Sequence, residues 1–108
     1  MEDWILPLRH FQDRLGQDGQ RFFVGMGHGS MTVELYKPLG HDPQTPHSQD
    51  ELYFVVSGSG TFFKGGERRP FAPGDVIFVE AGIEHRFEDF SDDFATGVVF
   101  WGPQGGER

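Results

Sequence analysis

The chain has 108 residues, contains no cysteine and carries a formal net charge of −8. This length fits one domain, and the lack of cysteine excludes disulfides, thiolate metal sites and a cysteine nucleophile. The negative charge would repel a phosphate backbone or an anionic membrane surface, so neither nucleic acid nor membrane is an expected partner. No apolar run approaches the ~20 residues that cross a bilayer, and the acidic start differs from a signal peptide, which predicts a cytoplasmic protein.

Residues 1–20 are predicted to form an N-terminal cap on the domain. Pro7 prevents a helix from running through the start of the chain. Leu8, Phe11 and Leu15 then recur at spacings of three and four residues, which is the spacing of one helical face. We therefore expect a short helix or turn that covers one end of the domain.

From Arg21 onward the chain shows the pattern of short β-strands. Apolar or alternating segments are separated by glycine, proline and aspartate turn signals throughout this region. The predicted strands are 22–24, 30–37, 52–57, 61–64, 67–72, 76–79, 85–88 and 96–101. This regular spacing predicts an all-β sandwich or barrel: one domain over 1–108, with a core over about 21–102 and a flexible glycine-rich tail at 103–108.

The stretch HSQDELYFVVSGSG, from His47 to Gly60, places polar groups at the start of an apolar strand. Residues of the same parity share one face of an extended chain, so His47, Glu51 and Tyr53 lie on the same side as Val55. If Val55 faces the core, an imidazole and a carboxylate face it as well. Such groups are costly in an apolar interior unless they are paired or bind a metal.

These residues resemble the two sequence motifs of the cupins, small jelly-roll barrels. Three residues separate His47 from Glu51, and six separate Glu51 from Gly58, as in the first motif. Gly74, Gly82 and His85 have the spacing of the second motif, and 15 residues lie between Gly58 and Gly74. The resemblance spans about residues 31–101, and the two motifs at this separation form a specific signal. Thr45 stands where the first motif usually has another histidine.

The resemblance implies a jelly-roll barrel, also called a double-stranded β-helix, with a divalent metal ion held by His47, Glu51 and His85. Two imidazoles and one carboxylate form the facial triad of non-haem iron sites, which favours Fe²⁺, with Mn²⁺, Ni²⁺ and Zn²⁺ as alternatives. Asp42, His41 or Gln49 are possible replacements for the histidine missing at Thr45. The phenylalanines of the inner strands and Trp101 are expected to line an apolar pocket around the metal.

The resemblance further implies a metal-dependent enzyme that acts on a small oxygen-rich organic substrate, as a dioxygenase or as an isomerase or lyase. Tyr53 is the candidate catalytic residue, because it shares the inward face and carries a hydroxyl group. The alternatives are a non-catalytic sugar- or small-molecule-binding cupin with a reduced metal site, and a barrel that retains the motif residues for folding alone. Cupins of this size imply a homodimer, with 4–6 and 22–24 as candidate interface segments.

Overall fold

A computed structural model describes residues 4–17 and 19–108 of the chain. Its helix, α1, spans Leu8–Arg14 and begins directly after Pro7, which confirms the predicted short N-terminal helix. Phe11 of α1 lies against Gly25, where an added Cβ would stand 2.3 Å from the Phe11 ring. Within the described ranges, no helix has the length and apolar character needed to span a bilayer.

Eight β-strands follow α1, in the order and close to the positions that the sequence predicts. They are β1 (Phe22–His28), β2 (Met31–Tyr36), β3 (Asp50–Ser57), β4 (Gly60–Lys64), β5 (Glu67–Phe71), β6 (Val76–Val79), β7 (His85–Glu88) and β8 (Ala95–Trp101). The first strand extends beyond the predicted 22–24, because a β-bulge between Val24 and Met26 lets it continue to His28.

The strands form two antiparallel sheets that face each other, which confirms the predicted all-β jelly roll. The larger sheet has the order β1-β2-β8-β3-β6, and the smaller has the order β5-β4-β7. Because β3 and β7 belong to different sheets, their inward side chains meet inside the barrel.

Aromatic side chains fill much of the space between the two sheets. The Phe87 ring lies 4.8 Å from that of Phe62 and 4.6 Å from that of Phe94, measured between centroids. The expectation that Trp101 lines the inner pocket is wrong. Phe100 and Trp101 are neighbours on β8 and point to opposite faces, so Phe100 faces inward while Trp101 packs outside against Phe78.

The segment that follows β8, predicted to be a flexible tail, runs back along the loop before β3. The Gly105 amide donates a hydrogen bond to the Ser48 carbonyl at 2.7 Å. The Glu107 amide donates to Asp50 Oδ2 at 2.8 Å. These contacts place the tail beside the loop that carries His47.

Candidate metal centre

Strand β3 presents a carboxylate to the barrel interior. Glu51, Tyr53 and Val55 are each at most 1% exposed, while Phe54 between them is 55% exposed. The alternation predicted from the sequence is therefore confirmed, with the odd-numbered residues inward. Glu51 is held on both sides by ladder pairing, with Val79 of β6 and Phe100 of β8.

His85 opens β7 and reaches Glu51 from the opposite sheet. Its Nδ1 lies 2.8 Å from the Ile83 carbonyl, and since a carbonyl only accepts, Nδ1 carries the proton of the neutral ring. The lone pair of Nε2 then faces the carboxylate, with Glu51 Oε1 2.6 Å away. Apart from this contact with each other, His85 Nε2 and both Glu51 oxygens have no hydrogen-bond partner among the described residues.

His47 completes a cluster from the loop before β3. Its Nε2 lies 4.0 Å from Glu51 Oε2, and its ring packs on Phe100 at 5.0 Å between centroids. The His47 carbonyl accepts a 2.8 Å hydrogen bond from the Gly82 amide, which joins this loop to the turn before His85. One ligand atom of each residue lies within 4.8 Å of the others, so the structure brings the three predicted residues together.

The cluster fits a divalent metal ion. A buried carboxylate and a buried nitrogen lone pair that face each other without hydrogen bonds are unfavourable unless a cation or proton lies between them. Two imidazole nitrogens and one carboxylate oxygen are a donor set that suits first-row divalent metals. The carbonyl of Ile83 fixes the tautomer of His85, as the outer hydrogen bond of a metal-bound histidine commonly does.

The two histidines differ in their affinity for protons. Burial acts to lower the pKa of His85, but the Glu51 carboxylate beside Nε2 and the Ile83 carbonyl beside Nδ1 stabilise the protonated ring, and the pKa is raised. Burial is also the largest influence on His47, and there the pKa is lowered, although the charge of Glu51 opposes the shift. His47 is therefore the more readily available as the neutral ring that binds a metal.

The replacement ligands suggested by the sequence do not reach the cluster. Asp42 is buried, but its carboxylate accepts hydrogen bonds from the Tyr36 hydroxyl and from the Phe87 amide at 2.9 Å. His41 is exposed. The Gln49 amide group donates to the carbonyl of Gly102 at 2.9 Å and to that of Ser30, away from the three residues.

Gln44 is the polar residue next to the cluster that sequence reasoning missed. Its Oε1 lies 3.1 Å from His47 Nε2 and accepts a 2.9 Å hydrogen bond from the Tyr53 hydroxyl. Its Nε2 donates to Asp42 Oδ2 at 2.6 Å. No sequence signal marks Gln44, because it lies in an irregular loop in which periodicity gives no facing direction.

A cavity of about 580 Å³ opens beside His47 and Gln44. Its walls combine apolar side chains with the polar groups of Arg21, Glu34 and Tyr36. Burial, helped by the charge of Glu51, raises the pKa of Glu34 to about 7. The sequence placed Glu34 and Tyr36 on one face of β2 without indicating that this face is the inner one.

Comparison with known proteins supports the fold and places the chain among cupins. Residues 31–101 match the Cupin_2 family of cupin domains. An uncharacterized protein of Streptomyces coelicolor, SCO3923, is 46% identical over 94 residues, which cover 85% of this chain and 89% of that protein. The transcriptional activator RhaS of Yersinia pestis is 28% identical over 81 residues, which cover 75% of this chain and only 30% of RhaS.

Solved structures share this architecture at low sequence identity. A cupin-2 domain protein from Shewanella frigidimarina superposes with a TM-score of 0.72 at 14% identity, covering 94% of this chain and 99% of that chain. KdgF from Halomonas superposes with a TM-score of 0.66 at 16% identity, covering 77% and 80%. At these identities the similarity establishes the fold alone.

Proposed function

This chain belongs to the Cupin_2 family, and from that premise we propose that it is a metal-dependent enzyme acting on a small oxygen-rich organic substrate. One observation carries the proposal: His85 Nε2 and the two Glu51 oxygens face each other in the barrel, buried and without any other hydrogen-bond partner among the described residues. Buried polar atoms that lack hydrogen-bond partners commonly mark the binding site of an ion.

In this proposal His47, Glu51 and His85 hold the metal through two nitrogens and one carboxylate oxygen. This set favours Fe²⁺, with Mn²⁺, Ni²⁺ and Zn²⁺ as alternatives. When bound, the ion supplies Lewis acidity for an isomerase or lyase reaction or, as iron, redox chemistry for a dioxygenase reaction. Facial coordination by three protein ligands leaves positions at which two substrate oxygens can bind.

Tyr53 is proposed to bind and orient the substrate through its hydroxyl group. Burial, followed by the negative charge of Glu51, raises the pKa of Tyr53 well above its ordinary value, so the hydroxyl keeps its proton. It now donates to Gln44 Oε1, and a substrate oxygen entering from the cavity would compete for the same proton. The apolar wall formed by Leu39, Val98 and Phe100 would hold the carbon skeleton and exclude water.

Elemental analysis of the purified protein tests the metal centre. We expect about one iron, manganese, nickel or zinc ion per chain, lost in both His47→Ala and His85→Ala. His28→Ala is the matched control and should keep the ion, because His28 is an exposed histidine at the end of β1. Protein that holds no metal after growth with these four ions, and binds none on titration, would refute the proposal.

A non-catalytic binding protein is the second candidate function. The similarity to RhaS favours it, because RhaS is named as a transcriptional activator and not as an enzyme. The 81 matched residues cover most of this chain but less than a third of that regulator. This candidate predicts that metal-free His85→Ala protein binds a sugar or small acid as well as the wild type does. A thermal-shift screen of such compounds on both proteins separates the two candidates.

We also propose that the protein is a cytoplasmic homodimer. The cysteine-free acidic sequence supports the location. Phe54 and Phe78, on adjacent strands of the larger sheet, are 55% and 45% exposed, and Phe22 of β1 is 43% exposed. Exposed apolar groups of this size favour a partner surface. Light scattering tests the assembly, and a monomer at high protein concentration would count against it.

A further inference from the structure

We propose that the side-chain oxygen of Gln44 is a fourth protein ligand of the metal, in place of the histidine that is missing at Thr45. This inference rests on the proposed metal centre. It adds a neutral amide oxygen to the two imidazoles and the carboxylate of the proposed centre.

The side-chain oxygen of Gln44 lies close to the proposed ligand nitrogen of His47. Oε1 lies 3.1 Å from His47 Nε2, the nitrogen of His47 that also lies closest to Glu51, at 4.0 Å from Oε2. This spacing is within the range found inside the cluster, where His85 Nε2 and Glu51 Oε1 are 2.6 Å apart. In the metal-free protein a proton on His47 Nε2 bridges to Oε1. An ion held by Nε2 would replace that proton, and Oε1 would then be available to it as a donor.

The side-chain amide of Gln44 cannot turn its nitrogen toward the site without losing its hydrogen bond to Asp42. Asp42 accepts hydrogen bonds from Gln44 Nε2 at 2.6 Å and from the Gln44 main-chain amide at 3.3 Å. Asp42 is itself fixed by the Tyr36 hydroxyl and by the Phe87 amide. A carboxylate that holds the far side of a ligand both orients the ligand and strengthens it as an electron donor.

Gln44 and the neighbouring Thr45 differ in burial. Thr45 is exposed, whereas Gln44 is partly buried and reaches the cluster. Pro43 and Pro46 flank this pair and restrict the backbone of the loop. The residue that faces the metal is thus shifted by one position from the family's first histidine. An amide oxygen is a suitable ligand for hard divalent ions such as Mn²⁺.

Counting imidazoles around bound Cu²⁺ by pulsed electron paramagnetic resonance tests the geometry. We expect two coordinated imidazoles in the wild type, three in Gln44→His and two in Thr45→His. Thr45→His is the matched control because it places the same ring one residue away. Two imidazoles in Gln44→His, or a third in Thr45→His instead, would overturn the assignment of position 44.

Mn²⁺ titration tests whether the glutamine itself binds. We expect Gln44→Ala to weaken Mn²⁺ binding about 10- to 100-fold, a loss typical of a residue that holds or supports a metal. Gln49→Ala is the matched control and should leave the affinity within about twofold, because the Gln49 side chain donates to the carbonyls of Ser30 and Gly102, away from the cluster. Circular dichroism of each variant establishes that it is folded, and the alanine variant keeps the test decisive if Gln44→His misfolds.

The titrations distinguish a failure of the Gln44 ligand from a failure of the metal centre. If the wild type binds Mn²⁺ and Gln44→Ala binds it equally well, the glutamine is not a ligand while the three-residue centre stands. If the wild type binds neither Mn²⁺ nor Cu²⁺, the metal centre and the glutamine ligand are both refuted.

Discussion

The surroundings of Glu34 shift the pKa of its carboxyl group strongly. Glu34 lines the cavity beside the candidate metal centre. Burial and the nearby charge of Glu51 raise its pKa from 4.5 to about 7. A folded-state pKa above the unfolded value means that ionisation disfavours folding. The cost therefore begins near pH 4.5 and is complete above pH 7.

Glu34→Gln should accordingly stabilise the metal-free protein at alkaline pH. The full shift would correspond to about 3 kcal/mol, and partial exposure to water reduces our expectation to about 1–2 kcal/mol in the free energy of unfolding at pH 8. Near pH 4.5 the variant and the wild type should be almost equally stable. Urea unfolding at the two pH values, with a chelator present, measures the difference.

The control for this prediction is Glu67→Gln, which removes a carboxylate that is 71% exposed on the far side of the barrel. It should change stability little at either pH. An equal effect of Glu34→Gln at pH 4.5 and pH 8 would show that packing, and not ionisation, is responsible.

Asp42 links a loop residue to a strand of the opposite wall. Its carboxylate accepts hydrogen bonds from the Phe87 main-chain amide at 2.9 Å, from the Tyr36 hydroxyl and from the Gln44 side-chain amide. Asp42→Ala leaves these donors unsatisfied, so we expect a loss of about 2–4 kcal/mol in the free energy of unfolding, together with weaker metal binding. Thermal unfolding and Mn²⁺ titration measure the two effects. Asp92→Ala, at an exposed aspartate, should show neither, and an unaffected Asp42→Ala would contradict the role of the network.

At the scale of the elements, two motif glycines perform different tasks. Gly58 and Gly74 both have positive φ, at 81° and 89°, a conformation that disfavours other residues. A Cβ on Gly58 would stand 2.4 Å from Phe94 Cα, whereas a Cβ on Gly74 would meet no atom within 4 Å. Gly58 is therefore needed for its conformation and for close packing, and Gly74 for its conformation alone.

The matched pair Gly58→Ala and Gly74→Ala separates these two effects. We expect Gly74→Ala to cost about 1–2 kcal/mol from the strained φ. Gly58→Ala should cost about 1–3 kcal/mol more, because the methyl group must displace the backbone at Phe94. Urea unfolding of both variants measures the costs. Equal losses of unfolding free energy would mean that the backbone at Phe94 moves aside without destabilising the fold.

The parts of this fold that carry a periodic signal were predictable, and the rest were not. Turn residues marked the strands, and the alternation around Val55 placed Glu51 and Tyr53 inside the barrel. The cavity-lining face of β2 was not predictable, because the face with Glu34 and Tyr36 lines the cavity although the opposite face, with Met31, Val33 and Leu35, is the more apolar one. The loop that contains Asp42 and Gln44 has no period at all, so its contribution to the site depends on tertiary contacts alone.

For the whole molecule, the candidate metal centre joins parts that are distant in sequence. Glu51 belongs to the five-stranded sheet, His85 to the three-stranded sheet and His47 to a loop. An ion held by all three would connect both sheets and the loop, and the unfolded chain would lack this arrangement. Metal binding should therefore stabilise the fold through mass action.

At a free metal concentration 100 times its dissociation constant, we expect the free energy of unfolding to rise by about 2.7 kcal/mol. For a domain of this size that corresponds to an increase in melting temperature of about 10 °C or more. Differential scanning calorimetry at several metal concentrations measures the shift, which should grow with the logarithm of the concentration. His85→Ala should abolish it, because the remaining ligands no longer include one from the smaller sheet. A shift that persists in His85→Ala would mean that the ion binds elsewhere and does not connect the two sheets.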